Sequence, residues 1–320
     1  MQNQTSFRAG GGDTSLASSA KLYLGRKPGD VAVAPLEGQL ACFHLYLLNV
    51  GMRDPKDAAA HLGGFVTRSP RAFALSLWVS VALVTPGGAQ SACSPDALGV
   101  SRVIEVDATG GPRFGEPSGD PDFLAPGEVV LTFDDGPSAR YTPPILAALA
   151  AQCTKATFFS VGEMAAESPA ILKEVVGQGH TISGHTWSHK NLPRQSYDRA
   201  KQEIDSGFAA VEKAVGTPIA PFFRFPYLSE SATTVAYLKS RNIAMFAVDV
   251  DSLDWRTHSP RKVIQRVMNG LNHRGRGIIL FHDIHGSTAA ALPQLLSMIK
   301  AKGFKVVHLS SKAPVHALSE

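Results

Sequence analysis

The sequence predicts an α/β fold in which about seven parallel strands form a (β/α) barrel. Short apolar runs alternate with amphipathic segments from residue 128 onward, as in a series of βα units. No Gly-x-Gly-x-x-Gly sequence occurs among these units, so a closed barrel is favoured over a dinucleotide-binding sheet. Reactive polar residues directly follow five of the predicted strands, at the ends where barrels bind ligands.

Each predicted element has a local pattern that supports it. The strand at 128–133 is a short apolar run, which is typical of a buried strand. In the helix at 168–178, Ser168 suits the N-cap, Pro169 suits the first turn and Gly179 follows the end. The other predicted strands are 103–106, 156–161, 181–184, 221–225, 244–250, 277–281 and 305–308. The other predicted helices are 143–152, 195–215, 230–241, 260–270 and 289–302.

The charge balance argues against nucleic-acid binding. The formal net charge of +4 divides into +3 for residues 1–92 (8 Lys and Arg against 5 Asp and Glu) and +1 for residues 93–320 (23 against 22). The part that we expect to fold is therefore nearly neutral and lacks the bulk positive charge that drives nucleic-acid binding.

An apolar segment before the predicted barrel has the form of a secretory signal. Residues 72–84 are a run of 13 apolar or small residues, preceded by Arg68 and Arg71 and followed by small, turn-prone residues. Such a run is too short to span a bilayer comfortably. We therefore expect an exported protein, periplasmic or extracellular, without a stable membrane span. The alternative is a buried core helix.

Residues 1–65 precede the signal-like segment, although a signal normally begins a chain. We therefore expect the true start at Met52 or near Val66, with 1–65 a mis-assigned or poorly ordered extension. The predicted organisation is an extension at 1–65, a signal-like segment at 66–92, a lead-in segment at 93–127 and a catalytic domain at 128–312.

The three cysteines, Cys42, Cys93 and Cys153, include no C-x-x-C pair, so a thiolate metal site or redox dithiol is not indicated. Cys93 and Cys153 lie beyond the signal-like segment and, in an oxidising compartment, are candidates for one disulfide. The alternative is two unrelated thiols, because sequence does not show whether their Cα atoms approach each other.

Two histidines and two carboxylates offer the parts of a metal site. His185 and His189 are four residues apart, so on one helical turn they would present two nitrogens to one metal. Asp134 and Asp135 end the strand at 128–133, and one carboxylate can bind the metal while the other acts as a base. Alone, each signal is weak, because H-x-x-x-H pairs are commonly surface or core histidines and Asp-Asp-Gly-Pro commonly forms a turn.

Five blocks in order resemble the motifs of polysaccharide deacetylases with a NodB homology domain, carbohydrate esterase family 4. The blocks are Thr132-Phe133-Asp134-Asp135-Gly136-Pro137, His185-Thr186-Trp187-Ser188-His189, Arg224-Phe225-Pro226-Tyr227, Asp251-Ser252-Leu253-Asp254-Trp255 and Leu280-Phe281-His282. The resemblance extends from Glu128 to Leu309, with no substitution at a motif position. It implies a distorted (β/α) barrel and hydrolysis of acetyl groups on an amino sugar.

The resemblance also implies a role for each residue of the first blocks. Asp135, His185 and His189 would bind one divalent metal ion, with Zn²⁺ expected first and Co²⁺ or another first-row metal as alternatives. Asp134 would be the general base that takes a proton from the attacking water. Arg224 would pair with Asp134 and orient it; taken alone, Arg224 has a surface ion pair as a less favoured alternative.

The later blocks supply the acid and the substrate contacts. By resemblance, His282 would be the general acid that protonates the departing amine, and Asp251 would orient His282. The backbone N–H of Tyr227 would stabilise the oxyanion, and Trp255 with Leu280 would line a pocket for the acetyl methyl group. Trp255 and Leu280 are also compatible with a core role, and the neighbouring aspartate at 254 is expected to be structural.

The expected function is removal of N-acetyl groups from a polymer or oligomer containing N-acetylglucosamine, of the chitooligosaccharide or peptidoglycan type. One alternative is an O-acetyl esterase of the xylan type, and another is an inactive glycan-binding wall protein. The expected partner is an acetylated amino-sugar polymer or oligomer rather than a nucleic acid, and a monomer is favoured.

Overall fold

The computed structural model describes residues 93–117 and 123–312. The predicted extension at 1–65 and the signal-like segment at 66–92 lie outside the described residues. None of the helices in the described ranges is long and apolar enough to cross a membrane.

The described residues form ten strands and seven α-helices in alternating order. The strands are β1 Arg102–Val106, β2 Arg113–Phe114, β3 Glu128–Asp134, β4 Thr157–Ser160, β5 Thr181–Gly184, β6 Phe222–Phe223, β7 Ala244–Phe246, β8 Val250–Asp251, β9 Gly277–His282 and β10 Lys305–Ser311. The α-helices are α1 Thr142–Ala151, α2 Gly162–Glu167, α3 Pro169–Gly177, α4 Tyr197–Val215, α5 Ala232–Ser240, α6 Pro260–Arg274 and α7 Gly286–Ala301. Short 3₁₀ helices occupy Leu192–Arg194, Pro226–Leu228 and Asp254–Arg256.

Seven parallel strands make the barrel, in the order β8, β9, β3, β4, β5, β6, β7. Strand β2 pairs with the free edge of β7. Strand β10 pairs with the start of β3, and β1 pairs with β10. The prediction of a distorted barrel with about seven parallel strands is confirmed.

The predicted strand at 244–250 is two strands, because the chain changes partners within it. Ala247 donates its N–H to the Phe114 carbonyl, beside β2, whereas Asp249 donates to the Ile278 carbonyl of β9. The Asp249 carboxylate then accepts from the backbone N–H groups of Glu116 and Ile278, at 3.2 and 2.7 Å. The two ends of the strand series, β7 and β8, are therefore connected by this segment of chain and not by a strand pairing among the described residues.

The central strand β3 is buried along its whole length and has two different faces. Val129, Leu131 and Phe133 pack with the surrounding helices in the larger core cluster. Val130 packs in the smaller cluster of the barrel interior. Because side chains alternate along a strand, Asp134 lies on the same inner face as Val130. The strand thus delivers a carboxylate to the carboxyl end of the barrel interior.

Cys93 and Cys153 form a disulfide, with their Cα atoms 5.8 Å apart and a sequence separation of 60. Cys153 follows α1, so the bond ties the lead-in segment to the first βα unit. By the chain-entropy argument, closing a loop of this length destabilises the unfolded chain relative to the folded one.

Reduction of this bond should therefore lower the free energy of unfolding by about 4 kcal/mol. Urea unfolding of the wild type with and without reductant measures the difference, and a Cys93→Ser/Cys153→Ser variant should match the reduced wild type. Equal unfolding midpoints for all three samples would contradict the contribution assigned to the bond.

Candidate metal and catalytic site

The adjacent carboxylates Asp134 and Asp135 point in different directions. Asp134 is the last residue of β3 and pairs in register with His282 of β9. Asp135 has a φ of 74°, in the left-handed region that few non-glycine residues adopt. The change of backbone conformation turns the Asp135 side chain away from the direction of Asp134 and toward the two histidines.

Asp135, His185 and His189 converge on one point. Asp135 Oδ1 lies 3.4 Å from His185 Nε2 and 3.3 Å from His189 Nε2. One potential ligand atom from each residue lies within 4.8 Å of the others. Asp135 Oδ1 is buried and has no hydrogen-bond partner among the described residues. A buried carboxylate oxygen without a partner is costly, and a shared cation between the three side chains removes that cost.

The two histidines do not share a helical turn, contrary to the sequence expectation. Residues 185–190 form an irregular loop in which Thr186 and His189 both have positive φ values. Glu203 of α4 holds this loop: its backbone carbonyl accepts from Trp187 N–H, and its carboxylate accepts from the N–H and Oγ of Ser188. The loop therefore brings the imidazoles together without a helix.

The lowered pKa values of His189 and Asp135 favour the deprotonated forms that bind a metal. Burial lowers the pKa of His189, despite opposition from Asp135, and the neutral imidazole is the form that binds metal. Burial alone would raise the pKa of Asp135, but the neighbouring imidazoles of His185, His189 and His282 hold it below its usual value. His185 Nδ1 donates a hydrogen bond to the Arg224 carbonyl at 2.7 Å. The lone pair on Nε2 is therefore free to bind a metal. The donor set fits a divalent cation such as zinc.

Arg224 holds Asp134 apart from the metal ligands. Its Nη1 lies 2.6 Å from Asp134 Oδ1 and 2.8 Å from Thr132 Oγ1. The side chain is fully buried, and its guanidinium stacks over the Phe159 ring at 4.3 Å. Asp134 Oδ2 faces His185 Nε2 at 3.8 Å. Asp134 therefore lies beside the candidate metal position with one oxygen held by Arg224.

Asp254, rather than Asp251, orients His282, and both sequence assignments need correction. His282 Nδ1 donates to Asp254 Oδ1 at 2.7 Å, and His282 N–H donates to Asp254 Oδ2 at 2.8 Å. The Asp251 carboxylate instead accepts from the Leu253 N–H at 2.8 Å. The 3₁₀ turn that begins at Asp254 carries its side chain inward, where it is 2% exposed.

The pKa of His282 suits a proton donor. Burial alone would lower it, but the hydrogen bond to Asp254 and the charge of that carboxylate outweigh burial and raise the pKa to about 9. His282 Nε2, the ring nitrogen opposite the Asp254 contact, lies 4.0 Å from Asp135 Oδ2. The imidazole is therefore protonated at neutral pH and faces the cavity.

The residues predicted to contact substrate line one cavity of about 360 Å³. Its walls include Tyr227, Trp255 and Leu280, as well as the candidate metal-ligand and acid–base residues. Leu280 is buried, whereas the rings of Tyr227 and Trp255 are 66% and 53% exposed. Tyr227 has a φ of 58°, and its N–H makes no hydrogen bond to any described residue. A strained residue with a free donor at a cavity wall indicates a binding role.

Sequence comparison identifies the family. A family model described as polysaccharide deacetylase matches residues 124–246. The chain is 33% identical over 189 residues to a peptidoglycan-N-acetylglucosamine deacetylase of Bacillus cereus, covering 58% of this chain and 67% of the relative. The chain belongs to the polysaccharide deacetylase family.

Other family members differ in length and substrate. A peptidoglycan-N-acetylglucosamine deacetylase of Listeria monocytogenes is 32% identical over 182 residues, which is 56% of this chain but only 37% of the relative. A chitooligosaccharide deacetylase of Azorhizobium caulinodans is 29% identical over 190 residues, covering 55% of this chain and 90% of the relative. Thus the chain spans little more than a third of the Listeria deacetylase.

Solved deacetylase structures share the fold. A peptidoglycan deacetylase of Bdellovibrio bacteriovorus has a TM-score of 0.62 and 35% identity, covering 70% of this chain and 63% of that chain. A family pseudoenzyme of Bacillus anthracis has a TM-score of 0.52 and 26% identity, covering 57% of this chain and 68% of that one. Likeness to the polysaccharide deacetylase fold therefore does not by itself establish turnover.

Sequence reasoning left Asp283 unassigned, although it supports the Asp134–Asp135 turn. Asp283 is buried, its Oδ2 accepts from Thr142 Oγ1 at 2.6 Å, and its N–H donates to the Asp134 carbonyl at 3.2 Å. Burial raises the pKa of this carboxyl to about 7. A Cβ on Gly136 would lie 2.1 Å from Asp283 Oδ2, so only glycine fits there. No sequence pattern pointed to this contact.

The role of Asp254 can be separated from that of Asp251. Asp254→Asn should lower kcat by about a hundredfold or more, because His282 loses the acceptor that fixes its tautomer. It should also lower the pKa of His282, so that the alkaline limb of the kcat/KM profile moves to lower pH. Asp251→Asn is the matched control and should leave the position of that limb in place. A shift in Asp251→Asn without one in Asp254→Asn would reverse the assignment.

The packing of Gly136 against Asp283 gives a second test. Gly136→Ala should lower the free energy of unfolding by about 2 kcal/mol, since the added methyl overpacks a buried site. It should also weaken metal binding about tenfold, because the turn that carries Asp135 must move. Denaturant unfolding and zinc titration measure the two effects. Gly177→Ala is the control, because a Cβ there meets nothing within 4 Å. Indistinguishable behaviour of the two variants would refute the constraint.

Proposed function

We propose that this protein is a metal-dependent hydrolase that removes N-acetyl groups from a glycan containing N-acetylglucosamine. The main support is that the two adjacent carboxylates have different partners: Asp135 faces His185 and His189, while Asp134 is held by Arg224. A cation bound by Asp135, His185 and His189 would act as a Lewis acid, lowering the pKa of water and stabilising negative charge on the acetyl oxygen.

Asp134 acts as the general base. Its Oδ1 is occupied by Arg224, and its Oδ2 faces the ligand nitrogen of His185. The ion pair with Arg224 fixes the position of this carboxylate in the barrel interior. Asp134 takes a proton from the attacking water, and the resulting hydroxide adds to the acetyl carbonyl carbon.

His282 acts as the general acid. An amine leaves an amide only when it is protonated, because the amide anion is a very poor leaving group. His282 is held by Asp254 in the tautomer that places its second proton on Nε2, on the cavity side. The imidazolium donates this proton to the departing nitrogen as the carbon–nitrogen bond breaks, which releases acetate and the free amine.

Tyr227, Trp255 and Leu280 position the acetyl group. The unpaired N–H of Tyr227 donates to the developing oxyanion, a contact that strengthens as charge accumulates. Trp255 and Leu280 form an apolar wall for the acetyl methyl group. The catalytic domain at 128–312 contains all these residues. We further propose export to the periplasm or cell exterior, in keeping with the disulfide between Cys93 and Cys153.

The proposal is tested by acetate release from peptidoglycan fragments, chitooligosaccharides and acetylated xylan, with the protein metal-free and metal-loaded. We expect release from the N-acetylated glycans alone, lost on chelation and restored by zinc. Release from xylan alone would identify an O-acetyl esterase. Sugar binding without release from any substrate would identify a catalytically inactive glycan-binding protein.

Two adjacent substitutions separate base from metal ligand. Asp134→Asn should lower kcat about a thousandfold while zinc remains bound, because the amide cannot accept the proton. Asp135→Asn should weaken zinc binding as well, because it removes a charged ligand. Zinc stoichiometry by calorimetry and kcat from acetate release measure the two properties. Full turnover by Asp134→Asn, or loss of zinc from that variant, would overturn the assigned base.

A further inference from the structure

The catalytic cavity continues into a second groove along one wall. This groove has a volume of about 620 Å³ and shares His189 and Tyr227 with the cavity. Its remaining lining residues are Ser188, Lys190, Asn191 and Arg194. Because the two spaces share walls, a polymer whose acetylated sugar occupies the cavity can place its next units in the groove.

The groove carries positive charge without a compensating carboxylate. Lys190 and Arg194 are both exposed, and neither forms an ion pair or a side-chain hydrogen bond within the described part of the chain. Arg113 and Arg274, by contrast, each have a carboxylate partner: Arg113 pairs with Glu230 at 2.8 Å, and Arg274 with Glu116 at 2.9 Å. Uncompensated cations in a groove favour an anionic ligand.

The charge is local rather than a property of the whole domain. Residues 93–320 carry a net charge of only +1. On the Trp255 side of the cavity, Arg256, Lys262 and Arg266 line a further groove of about 360 Å³, again without a carboxylate. The Arg256 guanidinium lies 5.3 Å from the Trp255 ring, which is itself a wall of the cavity. A second group of cations therefore lies near the Trp255 wall of the cavity.

A neutral amino-sugar polymer has no negative charge to pair with these cations. Its hydroxyl and acetamido oxygens can accept hydrogen bonds from lysine and arginine, but without the added attraction of opposite charges. Carboxylates, in contrast, pair with lysine and arginine through charge-assisted hydrogen bonds. Such carboxylates occur on amino sugars that carry a lactyl ether and on peptides attached to it.

We propose that Lys190 and Arg194 form a subsite for a carboxylate on the unit next to the acetylated amino sugar. The enzyme thereby selects an anionic glycan over a neutral one. This selection rests on the proposed deacetylase function and specifies the substrate class of the same site. Lys190 and Arg194 are specificity residues rather than catalytic residues, since they lie beyond the reacting atoms.

The test uses one oligomer in two charge states. N-acetylglucosamine–N-acetylmuramic acid oligomers are prepared with free lactyl carboxylates and, separately, with those carboxylates converted to amides. A third oligomer carries peptides with free carboxylates. Acetate release gives kcat/KM for each substrate with the metal-loaded wild type, with Lys190→Gln/Arg194→Gln, and with Lys173→Gln/Lys213→Gln. The last variant removes the same charge from exposed residues of α3 and α4 that do not line either groove.

We expect the wild type and the Lys173→Gln/Lys213→Gln control to prefer the free acid over the amide about fivefold, as two exposed ion pairs would provide. The preference should decline as salt concentration rises. It should fall to about one in Lys190→Gln/Arg194→Gln. A preference seen only with the peptide-bearing oligomer would assign the carboxylate to the peptide.

Equal kcat/KM for free acid and amide in the wild type would overturn the proposed subsite. So would an undiminished preference in Lys190→Gln/Arg194→Gln. Circular dichroism and zinc binding of each variant show whether the fold and the adjacent His189 are intact. The single variant Lys190→Gln, which should halve the preference for the free acid, tests the subsite a second time. Absence of acetate release from every oligomer with the wild type would instead overturn the deacetylase function itself.

Discussion

The buried ion pair between Arg224 and Asp134 is the contact on which the arrangement of the site depends. The guanidinium has no exposed surface, and besides Asp134 it donates to the carbonyls of Phe246 and Ala247, at 3.2 and 3.3 Å. A buried charge without its partner is strongly destabilising, so the barrel interior is built to keep these two groups together. As a result, Asp134 is held by Arg224 beside the candidate metal ligands Asp135, His185 and His189.

Arg224 also reaches the metal site through its backbone. Its carbonyl accepts a hydrogen bond from His185 Nδ1, and this contact directs His185 Nε2 toward Asp135. One residue at the end of β6 therefore orients both the candidate base and a candidate ligand. The candidate acid His282 is oriented separately, by Asp254, which follows β8 at the other end of the strand order. The candidate base and the candidate acid are therefore positioned independently around one cavity, as acid–base hydrolysis of an amide requires.

Much of the fold was predictable, because parallel βα units leave a regular alternation of apolar runs and amphipathic helices. The main error in the strands, at 244–250, arose where the backbone changes hydrogen-bond partners within an apolar run. The order of apolar and polar side chains does not indicate such a switch. The missed helix α2 and strand β2 are short, and short elements depend on tertiary contacts more than on their own sequence.

The candidate site was predictable as a set of residues but not as a set of contacts. Motif order identified the residues that line the cavity, since they follow the strand ends. It did not show that Asp254 rather than Asp251 reaches His282, because the choice depends on a 3₁₀ turn. Nor did it show that His185 and His189 meet across a loop with positive φ values, held by Glu203. Asp283 was missed for the same reason: its contact with Gly136 joins two loops distant in sequence.

The most direct test of this account is anomalous diffraction at the zinc edge from crystals of the zinc-loaded protein. The account predicts one peak, about 2.0–2.2 Å from a carboxylate oxygen of Asp135 and from Nε2 of His185 and His189, with Asp134 still paired to Arg224. A zinc peak that lacks any of these three ligands, or that includes Asp134 among them, would contradict it.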